Sequence, residues 1–168
     1  SSIDNCVKFS SNTDREDYYA GENLFLELNI NIDTGYHIYS VDPSKSLSPS
    51  YIEFSDSTLF SVIGIMHEPE THTKYDSTFN MDIHFHENKI KFIQDLKLSD
   101  KIHEGEYIVN SIFHYYACNP TFCVPKSDPF SFSLNVSEGS ARKEYYKTLD
   151  TDYESPIIKE NELVQMEL

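Results

Sequence analysis

The chain has 168 residues, of which 13 are basic and 28 acidic, for a formal net charge of −15. Such a surface repels phosphate backbones and anionic lipid, which disfavours nucleic-acid binding and membrane-surface docking, and no apolar run approaches the roughly 20 residues of a membrane helix. The length suits one domain of about 100–150 residues plus a tail, large enough to bury a core without disulfides. The 12 Tyr and 11 Phe favour strands, while only 5 Gly argue against phosphate-cradling loops.

Residues 24–32 alternate cleanly, with Leu24, Leu26, Leu28, Ile30 and Ile32 on one face and Glu27, Asn29 and Asn31 on the other. This period of two predicts a strand. Asp33-Thr34-Gly35 reads as a turn, residues 36–41 as the next strand, and the Pro- and Ser-rich stretch 42–50 as a loop. Short strands follow at 52–54 and 59–65, then a polar loop over 67–78. Over 79–85 Met81, Ile83 and Phe85 alternate with Asp82 and His84, which assigns the apolar three to the core and His84 and His86 to solvent. The strand at 90–98 carries adjacent Phe92 and Ile93, the mark of a bulge. Residues 106–116 set Tyr107, Val109, Phe113 and Tyr115 against Ile108, Ile112 and Tyr116, and 129–136 align Phe130, Phe132, Leu134 and Val136.

About eight strands with no amphipathic helix between them exclude parallel βαβ units and predict an all-β sandwich of two antiparallel sheets. The composition shifts near Gly139. Residues 1–137 read as the domain and 138–168 as an acidic C-terminal tail or linker, with two helical turns over 142–149.

Three cysteines are present: Cys6 alone and the pair Cys118 and Cys123. An odd count argues against a purely structural disulfide framework. Asn119-Pro120 is a turn starter, because Asn caps its own backbone and Pro presets φ. If the pair flanks the four-residue loop, its Cα atoms lie about 4.5–5.5 Å apart across the hairpin, within the roughly 4.4–6.8 Å a disulfide needs. A bridge at an accessible loop tip suits exchange better than stapling. No Lys or Arg lies nearer in sequence than Lys126, so an unactivated thiol is expected, one suited to a better-activated partner.

Three patches resemble a known family, the N-terminal periplasmic domain of the thiol–disulfide interchange protein DsbD, over about residues 20–136. They are Gly35-Tyr36-His37-Ile38-Tyr39, His67-Glu68-Pro69-Glu70, and Tyr116-Ala117-Cys118 with Cys123-Val124-Pro125. The resemblance implies an immunoglobulin-like antiparallel β-sandwich in the periplasm, or otherwise exported. It implies electrons taken from a membrane-embedded donor domain, on the same parent chain or another, and passed to periplasmic thioredoxin-fold proteins, with no cofactor. It makes Cys118 and Cys123 the catalytic residues, Cys118 attacking and Cys123 resolving. It further implies a cap loop over residues 68–80, opened by Glu68 and Glu70, with Tyr75 or Phe79 as the shielding ring. His37, Tyr39, Tyr116 and Phe122 would line the site. The pattern departs from the family at Thr71, where the cap aromatic is expected, and in the short loop between the cysteines.

Two other readings compete. Seven histidines invite a metal site at His84 and His86 with His67 and His72 nearby, but solvent-facing histidines explain them, and no metal is expected. A non-catalytic immunoglobulin-like binding module with a structural disulfide fits the same strands. There is no Gly-x-Ser-x-Gly, so a hydrolase finds no support.

Overall fold

The computed structural model describes residues 2–56 and 58–147. Among them lie eleven strands: β1 Val7–Thr13, β2 Tyr18–Tyr19, β3 Asn23–Ile32, β4 His37–Tyr39, β5 Tyr51–Phe54, β6 Phe60–His67, β7 His72–Asp76, β8 Met81–His86, β9 Lys89–Leu98, β10 Gly105–Cys118 and β11 Cys123–Ser137. The smaller sheet runs β1-β3-β9-β6. The larger runs β2-β11-β10-β4-β8-β7, with β5 also on β10. All pairings are antiparallel except β2 on β11. Together they form the expected immunoglobulin-like sandwich.

The core lies between the sheets. Leu24, Leu26, Leu28 and Ile30 of β3 and Phe92 and Leu96 of β9 meet Val109, Phe113 and Tyr115 of β10 and Phe132 and Leu134 of β11. Phe9 of β1 stands edge-on to Phe113 at 5.2 Å and to Phe130 at 5.4 Å, which joins the two sheets by rings. Losing such a ring, as in Phe113→Ala, costs about 3–5 kcal/mol through lost burial and the cavity left behind. Gly35 closes the β3–β4 turn at φ +90°, with Tyr36 N donating to Asp33 O at 3.1 Å.

Several expectations are corrected. Residues 67–78 are not a loop throughout: 72–76 form edge strand β7. The bulge lies in β6, between Ile63 and His67 around Gly64 at φ +65°, while β9 pairs with β3 without a break. In β8 the faces are exchanged. His86 is 1 % exposed against the Phe92 ring, and Met81, Ile83 and Phe85 are only partly buried. Burial of His86 is offset because Glu68 accepts its Nε2–H at 2.6 Å. Strand β1, with only Val7 and Phe9 apolar in seven residues, gives too thin an alternation to read. The helical turns expected over 142–149 reduce to one 3₁₀ turn, Lys143–Tyr145, with 148–149 outside the described residues.

At the β2 end, residues 138–147 pack back on the sandwich. Glu22 has no exposure and accepts from Arg142 Nε at 2.7 Å, Arg142 N at 2.9 Å and Tyr19 N at 3.0 Å, with Arg15 Nη2 at 3.3 Å. The Arg142 guanidinium lies 4.6 Å from the Tyr19 ring, and that of Arg15 lies 3.5 Å from Tyr145. Burial pushes the Glu22 carboxyl up, but the Arg142 and backbone hydrogen bonds outweigh it and hold it at about 2.

Candidate functional site

The β10–β11 hairpin ends in register at Cys118 opposite Cys123. Their Cα atoms are 4.0 Å apart and the sulfurs are bonded. The loop between them is built as its residues dictate: Asn119 Oδ1 accepts from Thr121 N at 2.8 Å and Phe122 N at 2.9 Å, and Asn119 N donates to Phe122 O at 3.0 Å. The bridge lies on the outer face of the larger sheet, opposite the core-facing Ala117. Cys118 has no exposure and sits between Cys123 and His37 of β4, its partner in register. Cys123 is exposed.

Tyr39, two residues along β4, brings its hydroxyl 3.1 Å from Cys123 Sγ. A disulfide sulfur carries no proton, so the tyrosine donates. Burial raises the Tyr39 hydroxyl above its ordinary value, with Asp76 and Tyr116 adding to the effect. Burial lowers His37. Both groups are therefore neutral near pH 7. The Tyr116 ring lies 6.3 Å from Tyr39, and His37 packs 4.8 Å from Phe85.

A cavity of about 480 Å³ opens beside the exposed sulfur. Of the residues singled out in the sequence, His37, Tyr39, Tyr75, Phe122 and Cys123 line it. Phe79, 56 % exposed, does not, and Tyr75 instead donates its hydroxyl to Asn80 Oδ1. Glu68 lies behind the site. Its Oε2 accepts from Ser40 Oγ at 2.6 Å, and its Oε1 from Val41 N at 3.2 Å and from His86 Nε2. It thereby ties the end of β4 to β8. Glu70 is exposed and away from the cavity lining. Ile83, Phe85, Lys74, Asp76 and Glu87 line the cavity without having been singled out. The signal lies in the apolar Ile83 and Phe85, which alternation alone assigns to the core. Lys74 brings a cation to the site from a strand distant in sequence. Of the histidines in the metal reading, His84 Nδ1 lies 2.9 Å from Thr71 Oγ1, and His86 meets Glu68. Cys6 is a buried free thiol whose Sγ donates to Ile3 O at 3.3 Å.

Fold and site together define an all-β sandwich domain carrying a surface disulfide with one accessible sulfur. The family described as thiol:disulfide interchange protein DsbD, N-terminal, matches residues 11–135, and the chain belongs to it. Thiol–disulfide exchange is the family's chemistry. Among solved structures, the N-terminal periplasmic domain of ScsB from Proteus mirabilis shares the fold at 14% identity and a TM-score of 0.56, over 78% of this chain and 47% of that one. This chain thus spans about half of that domain. The reduced DsbD N-terminal domain of Neisseria meningitidis aligns at 16% identity and a TM-score of 0.45, over 76% of this chain and 86% of that one. No curated protein matches the chain. Among the described residues no helix is long and apolar enough to cross a membrane.

Proposed function

We propose that the chain is a periplasmic disulfide reductant that passes electrons from a membrane-embedded donor domain to thioredoxin-fold proteins, with Cys123 as the sulfur that meets the partner. The observation carrying this reading is the contrast between exposed Cys123 and wholly buried Cys118. Exchange requires the attacking thiolate, the attacked sulfur and the leaving sulfur in line, so only a sulfur that a partner can reach serves as the entry point. The order implied by resemblance, Cys118 first, is reversed here on that ground.

In the dithiol form the Cys123 thiolate attacks one sulfur of the partner's disulfide. That bond breaks, and a Cys123–partner disulfide forms while the partner's other sulfur leaves as thiolate. Cys118, deprotonated, then attacks Cys123 Sγ and expels the partner's remaining sulfur. Two electrons have passed to the partner, the Cys118–Cys123 bond is closed, and the two protons lost here are taken up by the partner's thiols. The donor runs the same steps backward. Tyr39, donating to Cys123, favours its thiolate over an ordinary thiol of pKa about 8.5. Among the charged side chains lining the cavity, Lys74 acts in the same direction and Asp76 and Glu87 oppose it.

The experiment uses a purified periplasmic thioredoxin-fold protein in its disulfide form. Reduced Cys118→Ser protein should form a mixed disulfide with it, trapped by acid quenching before the partner's freed thiolate reverses the step, and Cys123→Ser protein should not. The opposite pattern restores Cys118 as the entry sulfur. Failure of both, with a reduction potential below about −300 mV, makes the bridge structural and the domain a binding module.

A further inference from the structure

We infer that the partner segment carrying the reacting cysteine docks as a short added strand on the open edge of β11 at Cys123, a register fixed by Pro125 and Pro129. This rests on the exchange reading above and specifies how the partner is held.

Strand β11 has β10 on one side. On its other side β2 pairs only with Val136 and Ser137, so among the described residues no strand lies beyond residues 123–135. The phase of the ladder tells which residues turn their backbone groups outward. Asn119 N donates to Phe122 O, so 119 and 122 are a hydrogen-bonded pair and the next pair, Cys118 and Cys123, is a non-hydrogen-bonded one. The Cys118 backbone points to β4, where it meets His37 in register. The Cys123 N–H and C=O point the other way, to the open edge.

The same phase turns residues 125, 127 and 129 outward. Two of these are Pro125 and Pro129, opposite Tyr116 and Ile112. Proline has no N–H, and these are positions where β10 asks for none, so the ladder to β10 survives while the open edge loses its donors. The N-terminal segment meets β11 just beyond, where Lys126 Nζ donates to Asp4 O at 3.2 Å. A long bare edge invites indiscriminate pairing. Here the edge is shortened until the outward donor next to the reactive sulfur is that of Cys123 itself. An extended peptide can add there by main-chain hydrogen bonds, as in other strand additions. The match extends for little more than one residue pair, which holds two sulfurs together without holding two proteins together.

The test uses reduced Cys118→Ser protein and two reagents: a ten-residue peptide with a central cysteine as its 2-thiopyridyl disulfide, and the same activated disulfide of 2-mercaptoethanol. Each leaves Cys123 in a mixed disulfide and releases 2-thiopyridone. Amide hydrogen exchange is then read by NMR. In the peptide adduct the Cys123 amide should exchange about tenfold more slowly than in the small adduct, as one gained backbone hydrogen bond requires, with Ser127 and Ser131 unchanged. Adding Pro125→Ala should extend protection to residues 125 and 127. Equal Cys123 exchange in the two adducts overturns the docking mode and leaves the exchange reading standing. Protection that still ends at Cys123 in the Pro125→Ala protein overturns the role of the prolines. If neither reagent releases 2-thiopyridone, Cys123 is unreactive and both readings fall together.

Discussion

The two ends of the β10–β11 hairpin, separated by roughly 45 Å at the usual strand rise, carry opposite solutions to the placement of polar chemistry. At the β2 end Glu22 is wholly buried, held by Arg142 and Arg15 and walled by tyrosine rings. At the loop end a sulfur is exposed, one cavity wall is a bare edge strand, and Tyr39 supplies a single hydrogen bond. Dense bonding fixes one end, and sparse bonding leaves the other able to react. One ladder joins them, so a change at either end should report separately on fold or on exchange.

The largest effect should follow Cys123→Ser. Reduction of a partner disulfide should disappear while the thermal midpoint falls only slightly, because a bridge across a short loop contributes on the order of 2 kcal/mol. Residual partner reduction, followed by thiol titration, would mean that Cys118 or Cys6 is the reacting group.

Next in size is Glu22→Gln at the other end. It leaves Arg142 facing a neutral amide while Arg15 keeps its pair with Asp14, which costs about 2–3 kcal/mol in chemical denaturation, with no change in exchange rate under conditions where the protein stays folded. The pH dependence has a definite sign. The folded pKa of Glu22, about 2, lies below its unfolded value, so its contribution is complete above that unfolded value and is lost as pH falls towards 2. Unfolding midpoints measured from pH 6 to pH 2 should therefore fall less steeply in Glu22→Gln than in the parent.

This contrast also shows what the sequence could reveal. Alternation over 24–32 and 106–116 placed β3 and β10 because one face of each is buried, and hydrophobic period reports that directly. The cysteine hairpin was readable because its turn chemistry is local: Asn119 makes the two bonds its position predicts. Strand β8 misled because the site itself is apolar. Ile83 and Phe85 line the cavity, and the polar His86 goes inward only because Glu68, 18 residues earlier, is there to receive it. The clamp of Arg142 on Glu22, separated by 120 residues, has no local signature at all.

A smaller effect is expected from Glu68→Gln, which connects stability to the reactive end. Burial pushes the Glu68 carboxyl up, but bonds from His86, Ser40 and the Val41 backbone outweigh it, so its pKa is depressed. Its contribution is present at neutral pH and declines as pH falls below the ordinary glutamate range. The variant weakens the tie between β4 and β8, costing about 1–3 kcal/mol. Because β4 carries Tyr39, the pH at which Cys123 ionises in the Cys118→Ser background should rise, measured by iodoacetamide alkylation against pH. An unchanged profile would limit Glu68 to a structural role.

The finest distinction lies within the β7–β8 hairpin. Tyr75 and Phe79 are equally exposed, yet only Tyr75 lines the cavity beside Cys123. Removing a ring from the cavity wall widens the approach of a small thiolate to the sulfur; removing one outside it does not. Tyr75→Ala should therefore speed reduction of the bridge by glutathione a few-fold, while Phe79→Ala leaves the rate at the parent value. Since Tyr75 also bonds Asn80, Tyr75→Phe separates shielding from hairpin support. A parent-like rate in Tyr75→Phe assigns the effect to the ring, and a rate as fast as in Tyr75→Ala assigns it to the hydroxyl that holds the turn.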